Sequence, residues 1–318
     1  MLRARNTQRV HSWALFALFL SVVCSNTQPM FSKLLYADDW TPVSLYFLAL
    51  LVVTIFLAVH ELLQSGEEGR WDMSAEDIKG ILLTTVVGGV ISPLLYFTAL
   101  AHVRASDAVL LVGLLPFFTV VFAVLMLKEH FTMSSALGGC MLLLGVGALL
   151  WPDIQSTGFN WWSLALAGSS VTAALTTILH KKYVKCRHLD SVVLVRATLS
   201  IVCIGLWMLL TEPQSFDLFL QPQQMGLVFG FPMLGLLAPF FLFFGALRHI
   251  TALEAGLISG AGPVAGVVFA AAFLGEAILP YQYLSLTLVL IGIFTINIPL
   301  TRWRIVPSRP IEMGPLGK

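Results

Sequence analysis

The sequence predicts an all-α integral membrane protein whose ten transmembrane helices form two inverted five-helix repeats. Three observations predict this fold class: a composition too apolar for a water-soluble domain, a one-sided distribution of lysine and arginine, and a segment that recurs 147 residues later. The first indicates the solvent around the helices, the second their direction, and the third their symmetry.

The composition requires lipid as the outer solvent. Of 318 residues, 58% are hydrophobic and 11% are charged, and the mean hydropathy is +0.87. Soluble domains carry about 25% charged residues on their surfaces. The chain has no basic block that would suit a nucleic acid, and its seven histidines and four cysteines show no metal-ligand spacing. We therefore expect a membrane protein without a metal site, a cofactor or a nucleic-acid partner.

Ten apolar runs are long enough to cross a bilayer, which needs about 20 residues per helix. Because hydrocarbon offers no hydrogen-bond partner to the backbone, each run is predicted to be helical. The runs lie near residues 13–35, 42–63, 78–101, 106–127, 132–150, 161–180, 191–211, 225–247, 252–274 and 281–300. In the loop before the third run, Ser74 and Asp77 have capping-box spacing and are predicted to start the helix.

Lysine and arginine lie mainly on one side of these spans. With the N-terminus in the cytoplasm, the cytoplasmic segments hold fifteen of the eighteen basic residues, and the outer loops hold Arg104 alone. Lys33 lies near the outer end of the first span and Arg196 lies within the seventh. Because basic residues accumulate in cytoplasmic loops, both termini are predicted to be cytoplasmic in a multi-pass protein of the inner, or cytoplasmic, membrane.

The segment Tyr96–Glu129 recurs as Phe243–Glu276. Without a gap, 15 of 34 positions are identical. Shared hydrophobicity would explain matched valines and leucines, but not matched histidine, glycine, proline and glutamate in one register. The matched residues of these four types are His102/His249, Gly113/Gly260, Pro116/Pro263 and Glu129/Glu276.

A repeat of five spans makes the second copy enter the membrane from the opposite side. We divide the chain into a first repeat over residues 1–155, a second over 156–300 and a disordered cytoplasmic tail over 301–318. In carriers with inverted repeats, the halves rock against each other around a fixed site near the midplane. The symmetry therefore predicts alternating-access transport.

With these motifs the chain resembles the drug/metabolite transporter superfamily, and in particular its EamA-type permeases. The first half reads A-L-x-H-V-x-A-S-D-A…G-x-x-P…F…K-E, and the second reads A-L-x-H-I-T-A-L-E-A…G-x-x-P…F…G-E. The resemblance covers nearly the whole chain. It implies a carrier of small metabolites, frequently an exporter of amino acids or related compounds, with a central cavity between the halves. Members often have an arginine early in the second span of a half; Arg196 fits, whereas the first half has Phe47 or a neighbour there.

Glycines and prolines inside the spans mark candidate hinges. A proline removes a backbone donor and frees a carbonyl one turn earlier, so a helix broken near the midplane can bend or offer backbone groups to a substrate. A static kink, common in membrane helices, is the alternative. The hinge or broken-helix candidates are Gly88, Pro93, Pro116, Gly235, Pro239 and Pro263.

Four carboxylates lie at the ends of repeated spans. Asp107 and Glu254 are equivalent residues near the starts of the fourth and ninth spans. Two roles stay open for them: capping of the helix N-terminus, or coupling through protons or substrate. Glu129 and Glu276 end their spans at the interface and are predicted to be structural, as gate or packing anchors.

Polar residues inside the spans are the candidates for the substrate cavity. Arg196 either extends to the cytoplasmic side or faces the cavity, where it would bind an anionic group or pair with Glu254. Lys33 and His180 lie at equivalent ends of the first and sixth spans and would mark the two mouths. The cavity candidates are Asn26, Gln28, Ser92, Tyr96 and Arg196.

The predicted function is alternating-access export of a small organic metabolite, such as an amino acid or a related compound. The chain has no Walker A motif, so a gradient would drive it; proton antiport and facilitated diffusion both fit. A nucleotide-sugar or sugar-phosphate carrier is the alternative, but only Arg196 and Lys33 offer the cationic groups that phosphate needs. A membrane-embedded enzyme would need clustered catalytic residues, and a sensor would need a sizeable soluble domain.

Overall fold

In the computed structural model the chain is all-helical, and no strand occurs in the residues that the structure describes, namely 2–63, 74–129, 131–156, 160–184, 189–220, 225–247, 249–250 and 252–297. The first half contains α1 Leu2–Ser25, α2 Gln28–Ala37, α3 Pro42–Leu63, α4 Ala75–Thr84, α5 Ser92–His102, α6 Ala105–Val112, α7 Leu115–Leu127 and α8 Met133–Ser156. The second contains α9 Trp161–Tyr183, α10 Leu189–Thr211, α11 Met225–Pro232, α12 Ala238–Leu247, α13 Ala252–Ser259, α14 Gly262–Leu274 and α15 Pro280–Asn297. The predicted tail, 301–318, lies outside the described residues.

Nine segments of the described chain are long and apolar enough to cross a membrane. They are His11–Ala37, Pro42–Leu63, Ala75–His102, Ala105–Leu127, Met133–Pro152, Trp161–Tyr183, Ser191–Thr211, Gly226–Phe243 and Pro280–Asn297. The predicted ninth span, 252–274, consists of α13 followed by α14, a separate apolar helix of 13 residues. The prediction of an all-helical, multi-pass membrane protein is confirmed.

Large apolar side chains cover the outside of the bundle. Leu63 is 82% exposed, Leu210 is 77% exposed and Trp161 is 74% exposed. In water such a surface would cause association, whereas in a bilayer it contacts lipid tails that are equally apolar. Tryptophans also lie near the ends of spans, for example Trp13 and Trp151, where indole rings prefer the membrane–water interface.

The third span starts with the predicted capping box. Ser74 Oγ accepts a hydrogen bond from the Asp77 amide at 3.1 Å, and the Ser74 amide donates to Asp77 Oδ2 at 3.0 Å. This satisfies two backbone donors at the N-terminus of α4 and fixes its first turn.

The third and eighth spans each contain a π-helical segment at the same place in the repeat. These segments are Thr85–Ile91 and Met233–Leu237, and each leads into the helix that carries the in-span proline, α5 or α12. Pro93 has no N–H to offer the Gly89 carbonyl four residues earlier. The hydroxyl of Tyr46 donates to that carbonyl at 2.6 Å, so the freed acceptor has a partner.

The glycines of the π-helical segments pack across the two halves. A Cβ at Gly88 would overlap Thr176 on α9, and a Cβ at Gly235 would lie 3.5 Å from Gln28 Cβ at the start of α2. The third span of the first half therefore contacts the first span of the second half, and the eighth span contacts the first. This reciprocal packing follows the sequence repeat.

Helices α7 and α14 end at equivalent residues in the left-handed conformation. Lys128 has φ 55° and Gly275 has φ 64°, and the next residues are Glu129 and Glu276. The amides of these glutamates donate to the Ala123 and Ala270 carbonyls at 3.2 and 3.3 Å. A left-handed residue thus ends each helix and directs the following carboxylate.

Close packing also occurs at the break between α1 and α2. A Cβ at Gly266 on α14 would lie 2.6 Å from both methyl carbons of Val109 and 3.1 Å from Asn26 Oδ1. Glycine at this position allows α14 to approach both α6 and the break.

Replacing Gly275 by alanine is expected to lower the free energy of unfolding by about 1–2 kcal/mol, because an L-residue is disfavoured in the left-handed conformation. Lys128→Gly should raise it by a similar amount, because it removes the same strain from the equivalent residue. Equilibrium unfolding in detergent measures both. Equal effects of Gly275→Ala and Lys128→Ala would contradict this account.

Gly266→Ala should destabilise the protein by about 1–3 kcal/mol through overpacking. Val109→Ala in the same chain makes room for the new methyl group, so the double variant should lose less than the sum of the single changes. Gly147→Ala is the control, because no heavy atom lies within 4 Å of a Cβ there. Additive losses in the double variant would show that the predicted contact is not made.

Candidate functional site

A cavity of about 390 Å³ lies at the break in the first span. Helices of both halves contribute to it: the α1–α2 junction, α5, α6, α7 and α9. Four of the five predicted cavity residues lie in its wall together with one predicted hinge residue, Pro93. The lining residues are Ser25, Asn26, Gln28, Pro29, Ser92, Pro93, Tyr96, Val109, Val112, Leu115, Ser169, Ser170 and Ala173.

Side chains at the break satisfy the carbonyls at the end of α1. Asn26 Nδ2 donates to the Val22 carbonyl at 2.8 Å, and Thr27 Oγ1 donates to the Cys24 carbonyl at 2.6 Å. The amides of Asn26 and Thr27 donate to the same two carbonyls. Pro29, in the first turn of α2, has no N–H that would need a partner. The first span can therefore be interrupted in the membrane without unpaired backbone groups at these positions.

Three serines connect the walls of the cavity. Ser92 on α5 donates to the Ser169 carbonyl at 2.9 Å, and Ser169 donates to the Leu166 carbonyl at 2.7 Å. Ser170 lies 3.4 Å from the Leu111 carbonyl on α6. These bonds hold the third and fourth spans against α9, the first span of the second half.

Two polar side chains in the wall remain available. Within the described residues, neither the Gln28 side-chain amide nor the Tyr96 hydroxyl forms a hydrogen bond, although the Tyr96 ring contacts Phe97 edge-on. Gln28 offers both donors and an acceptor, and Tyr96 offers one hydroxyl that can do either. A molecule in the cavity would find its hydrogen-bond partners here.

At one end of the fourth span, Glu276 caps the N-terminus of α6. Its Oε1 accepts from the Ala105 amide at 2.8 Å, and its Oε2 accepts from the Ser106 amide at 3.1 Å and from Ser106 Oγ at 2.6 Å. Arg104 Nε lies 3.7 Å from Oε2. A carboxylate from the second half thus satisfies two N-terminal amides of the first half, where the helix dipole favours a negative charge.

Gln282 joins the same contact from α15. Its side chain is 1% exposed, and its Nε2 donates to Ser106 Oγ at 3.0 Å and to Asp107 Oδ1. Its Oε1 accepts from the Leu279 amide at 2.9 Å. The structure therefore places Asp107, a predicted coupling or capping residue, beside Gln282 in the first turn of α6.

At the opposite end of that span, the repeat counterpart Glu129 has a different partner. It accepts a hydrogen bond from Lys181 Nζ at 2.6 Å, and its side chain is 47% exposed, against 15% for Glu276. Glu254 on α13, the counterpart of Asp107, pairs with His11 on α1, whose Nε2 lies 3.1 Å from Glu254 Oε1. Equivalent residues thus make unequal contacts at the two ends.

The other predicted residues lie around the cavity or away from it. Gly88 and Gly235 lie in the two π-helical segments, and Pro239 lies in the first turn of α12, where its carbonyl accepts from Ser21 Oγ at 2.8 Å. Pro116 and Pro263 lie in the first turns of α7 and α14.

Arg196 is not among the described residues that line the cavity. It lies close enough to Tyr46 on α3 and His180 on α9 for electrostatic interaction. Lys33 lies in a second cavity, also of about 390 Å³, with His102, Arg104 and Glu276. Lys33 and His180 are therefore in separate surroundings, near opposite ends of the bundle.

Sequence reasoning missed several residues of the site. Ser169 and Ser170 form an adjacent polar pair within an apolar span, and this pair could have marked them. Gln282 carried no comparable signal, because it follows Pro280 at the start of α15, where polar residues are ordinary. Within the described residues, no group of three histidine, cysteine or acidic side chains could hold a metal ion.

Comparison with known proteins shows which family has this architecture. The sequence model of the EamA-like transporter family matches residues 12–151 and again 160–298. A protein of Methanothermobacter thermautotrophicus described as an uncharacterized transporter is 25% identical over 221 residues, which are 67% of this chain and 63% of the relative. A solved crystal structure covers 89% of this chain and 96% of its own with a TM-score of 0.57 at 17% identity, which shows a shared fold. With two matches that together cover most of its length, the chain belongs to the EamA-like transporter family.

Proposed function

We propose that the protein is an alternating-access carrier that exports a small organic metabolite, such as an amino acid or a related compound, across the inner membrane. In this proposal ten spans form two inverted halves, α13 and α14 together make the ninth span, and both termini are cytoplasmic. The observation that carries the proposal is the unequal contact at the two ends of the described chain: Glu276 caps α6, whereas the contact described for Glu129, which is 47% exposed, is with Lys181.

The Glu276 contact has the strength that a gate requires. Capping side chains stabilise a helix by about 0.5–2 kcal/mol. Since about 1.4 kcal/mol changes an equilibrium tenfold, one such contact can bias two conformations without locking either. The contact also joins the halves, so breaking it would open the bundle at that end.

The repeat defines the other conformation. Ala105 and Ser106 have Ala252 and Leu253 as counterparts 147 residues later, in the first turn of α13. In the exchanged state, Glu129 would leave Lys181 and cap α13, while Glu276 would leave α6. In the proposed orientation the Glu276 end faces outside, and we take this conformation to be the one that is closed to the outside.

Protons are the proposed coupling ion, and facilitated diffusion is the alternative. Asp107 and Glu254 are the coupling candidates, because each lies in the first turn of a helix that a gate glutamate caps in one of the two states. Their present partners differ, Gln282 for Asp107 and His11 for Glu254.

Glu276→Gln should weaken the closed outer gate, because an amide replaces the charge and leaves one acceptor for two backbone donors. Hydrogen exchange of the peptide that contains Ala105–Val109 should accelerate by about tenfold, the equivalent of one capping contact. Mass spectrometry of the protein in nanodiscs measures this directly.

Glu129→Gln is the matched control for the gate. It makes the same chemical change at the equivalent residue and should leave exchange at Ala105–Val109 no faster than in the unmodified protein. Both variants should slow transport, because each conformation is needed once per cycle. Unchanged exchange in Glu276→Gln would remove the gate from the proposal.

Transport itself is testable in proteoliposomes with labelled amino acids, polyamines, nucleosides and cationic dyes, with and without an imposed pH gradient. We expect saturable flux of at least one class. If protons are coupled, Glu254→Gln or Asp107→Asn should reduce the stimulation by the pH gradient. Absence of flux for every class would contradict the carrier function, and unaltered stimulation in both variants would exclude both residues as coupling sites.

A further inference from the structure

The cavity at the break in the first span has no charged side chain in the part of its wall that the structure describes. Thirteen described residues line it, and none of these is aspartate, glutamate, lysine, arginine or histidine. From this we infer that the cargo is a small neutral molecule, recognised through amide-like or hydroxyl groups. Among the metabolites of the proposed function, this selects neutral derivatives over free amino acids, which are zwitterions. The inference rests on the proposed function in one respect: the cavity is taken to be the place where cargo binds.

A cargo with a full charge would meet no counter-charge in this cavity. Taking an ion out of water costs several kcal/mol unless a partner of opposite charge compensates it. The glutamates at the two span ends contact other groups: Glu276 accepts hydrogen bonds from the α6 amides, and Glu129 pairs with Lys181.

The helix ends at the break do not replace such a counter-charge. Half-helix N-termini bind anionic groups in other carriers through free backbone N–H groups. Here Pro29, in the first turn of α2, has no N–H to offer, and the amides of Asn26 and Thr27 before it already donate to the Val22 and Cys24 carbonyls. The C-terminus of α1 also adjoins the N-terminus of α2, so the partial charges of the two helix ends are opposite in sign and offset each other at the cavity.

The available groups suit hydrogen bonding to a neutral molecule. The Gln28 amide can donate and accept, the Tyr96 hydroxyl can do either, and both lack partners among the described residues. Val109, Val112 and Leu115 supply an apolar part of the wall. The volume of about 390 Å³ is near the lower end of the range for ligand pockets, about 300–1,000 Å³, which favours a cargo of modest size.

Four leucine derivatives separate charge from shape. N-acetyl-leucinamide is neutral, leucine is a zwitterion, N-acetyl-leucine is an anion, and leucinamide is a cation at about pH 6.5, below the usual α-amino pKa. Uridine, which is neutral, and uridine monophosphate, which is an anion, form a second set. A neutral polyol is a further probe. Binding to the purified full-length chain is measured in detergent by thermal shift and equilibrium dialysis.

The neutral member of at least one set should bind about tenfold or more tightly than its charged counterparts. A charged member that binds as tightly as its neutral counterpart would overturn the inference, and so would the failure of every neutral probe to bind. Because binding is measured without a membrane, the result is separate from transport. Binding of neutral probes without flux in vesicles would contradict the carrier function alone, and flux of charged probes would contradict the neutral cargo alone.

Charge placed in the wall gives an independent test. Gln28→Glu should shift the preference by about tenfold or more towards leucinamide, because it supplies the missing counter-charge. Gln214→Glu makes the same change at an exposed residue of the 3₁₀ helix Pro213–Leu220 and should leave the preference unchanged. An equal response of the two variants would show that Gln28 does not contact the cargo.

Tyr96→Phe removes a hydroxyl that has no partner among the described residues, so the melting temperature should not change. Affinity for the neutral probe should fall by about 2- to 10-fold, the value of one hydrogen bond. Tyr283→Phe, at a residue that is 57% exposed on α15, is the control. Unchanged affinity in Tyr96→Phe would remove that residue from the binding site.

Discussion

Hydrocarbon cannot hydrogen-bond to a peptide group, so every interruption of a spanning helix must be satisfied by the protein itself. At the break in the first span, the side chains of Asn26 and Thr27 bond the last carbonyls of α1. In the third span, the Gly89 carbonyl has no α-helical donor, because the residue four positions later is Pro93. The Tyr46 hydroxyl donates a hydrogen bond to it instead. Polar side chains therefore collect where the backbone is irregular. The cavity lies at such a place: Asn26 satisfies the break, and Gln28, two residues later, lines the cavity without a side-chain hydrogen bond among the described residues.

Because polar groups in the membrane need partners, a few hydrogen bonds also connect the two halves. Ser92 in the first half bonds the Ser169 carbonyl in the second, and Ser21 bonds the Pro239 carbonyl. Glu276 makes the reverse connection, from the second half to the amides of α6. Lipid tails are as apolar as the side chains that they contact, so the burial of apolar surface alone does not favour one arrangement of the halves over another. In the proposed cycle, the polar contacts are the part of the interface that distinguishes one conformation from the other.

Much of this organisation was predictable, because it depends on local sequence. Hydropathy predicts the membrane helices, and the 147-residue register makes Gly88 and Gly235 equivalent; the structure places both in π-helical segments. The contact of Glu276 with α6 was not predictable in this way. Glu276 was recognisable as the end of a span, but its partners lie 170 or more residues away in sequence, and helical phase does not determine which ends meet across the halves. The repeat also suggests equal contacts for Glu129 and Glu276, whereas in the proposed cycle each conformation closes only one of the two ends.

The repeat is unequal in the cavity itself, and this bears on how cargo would be held during exchange. The counterparts of Asn26 and Gln28, 147 residues later, are Ala173 and Leu175, and that of Tyr96 is Phe243. The span with those first two counterparts, α9, is also continuous where the first span is broken. The side chains available for hydrogen bonding therefore belong to one half, while the second half contributes mainly a wall. In the proposed cycle, cargo would keep its hydrogen bonds to the first half as the second half changes its contacts, so that recognition and gating depend on different residues.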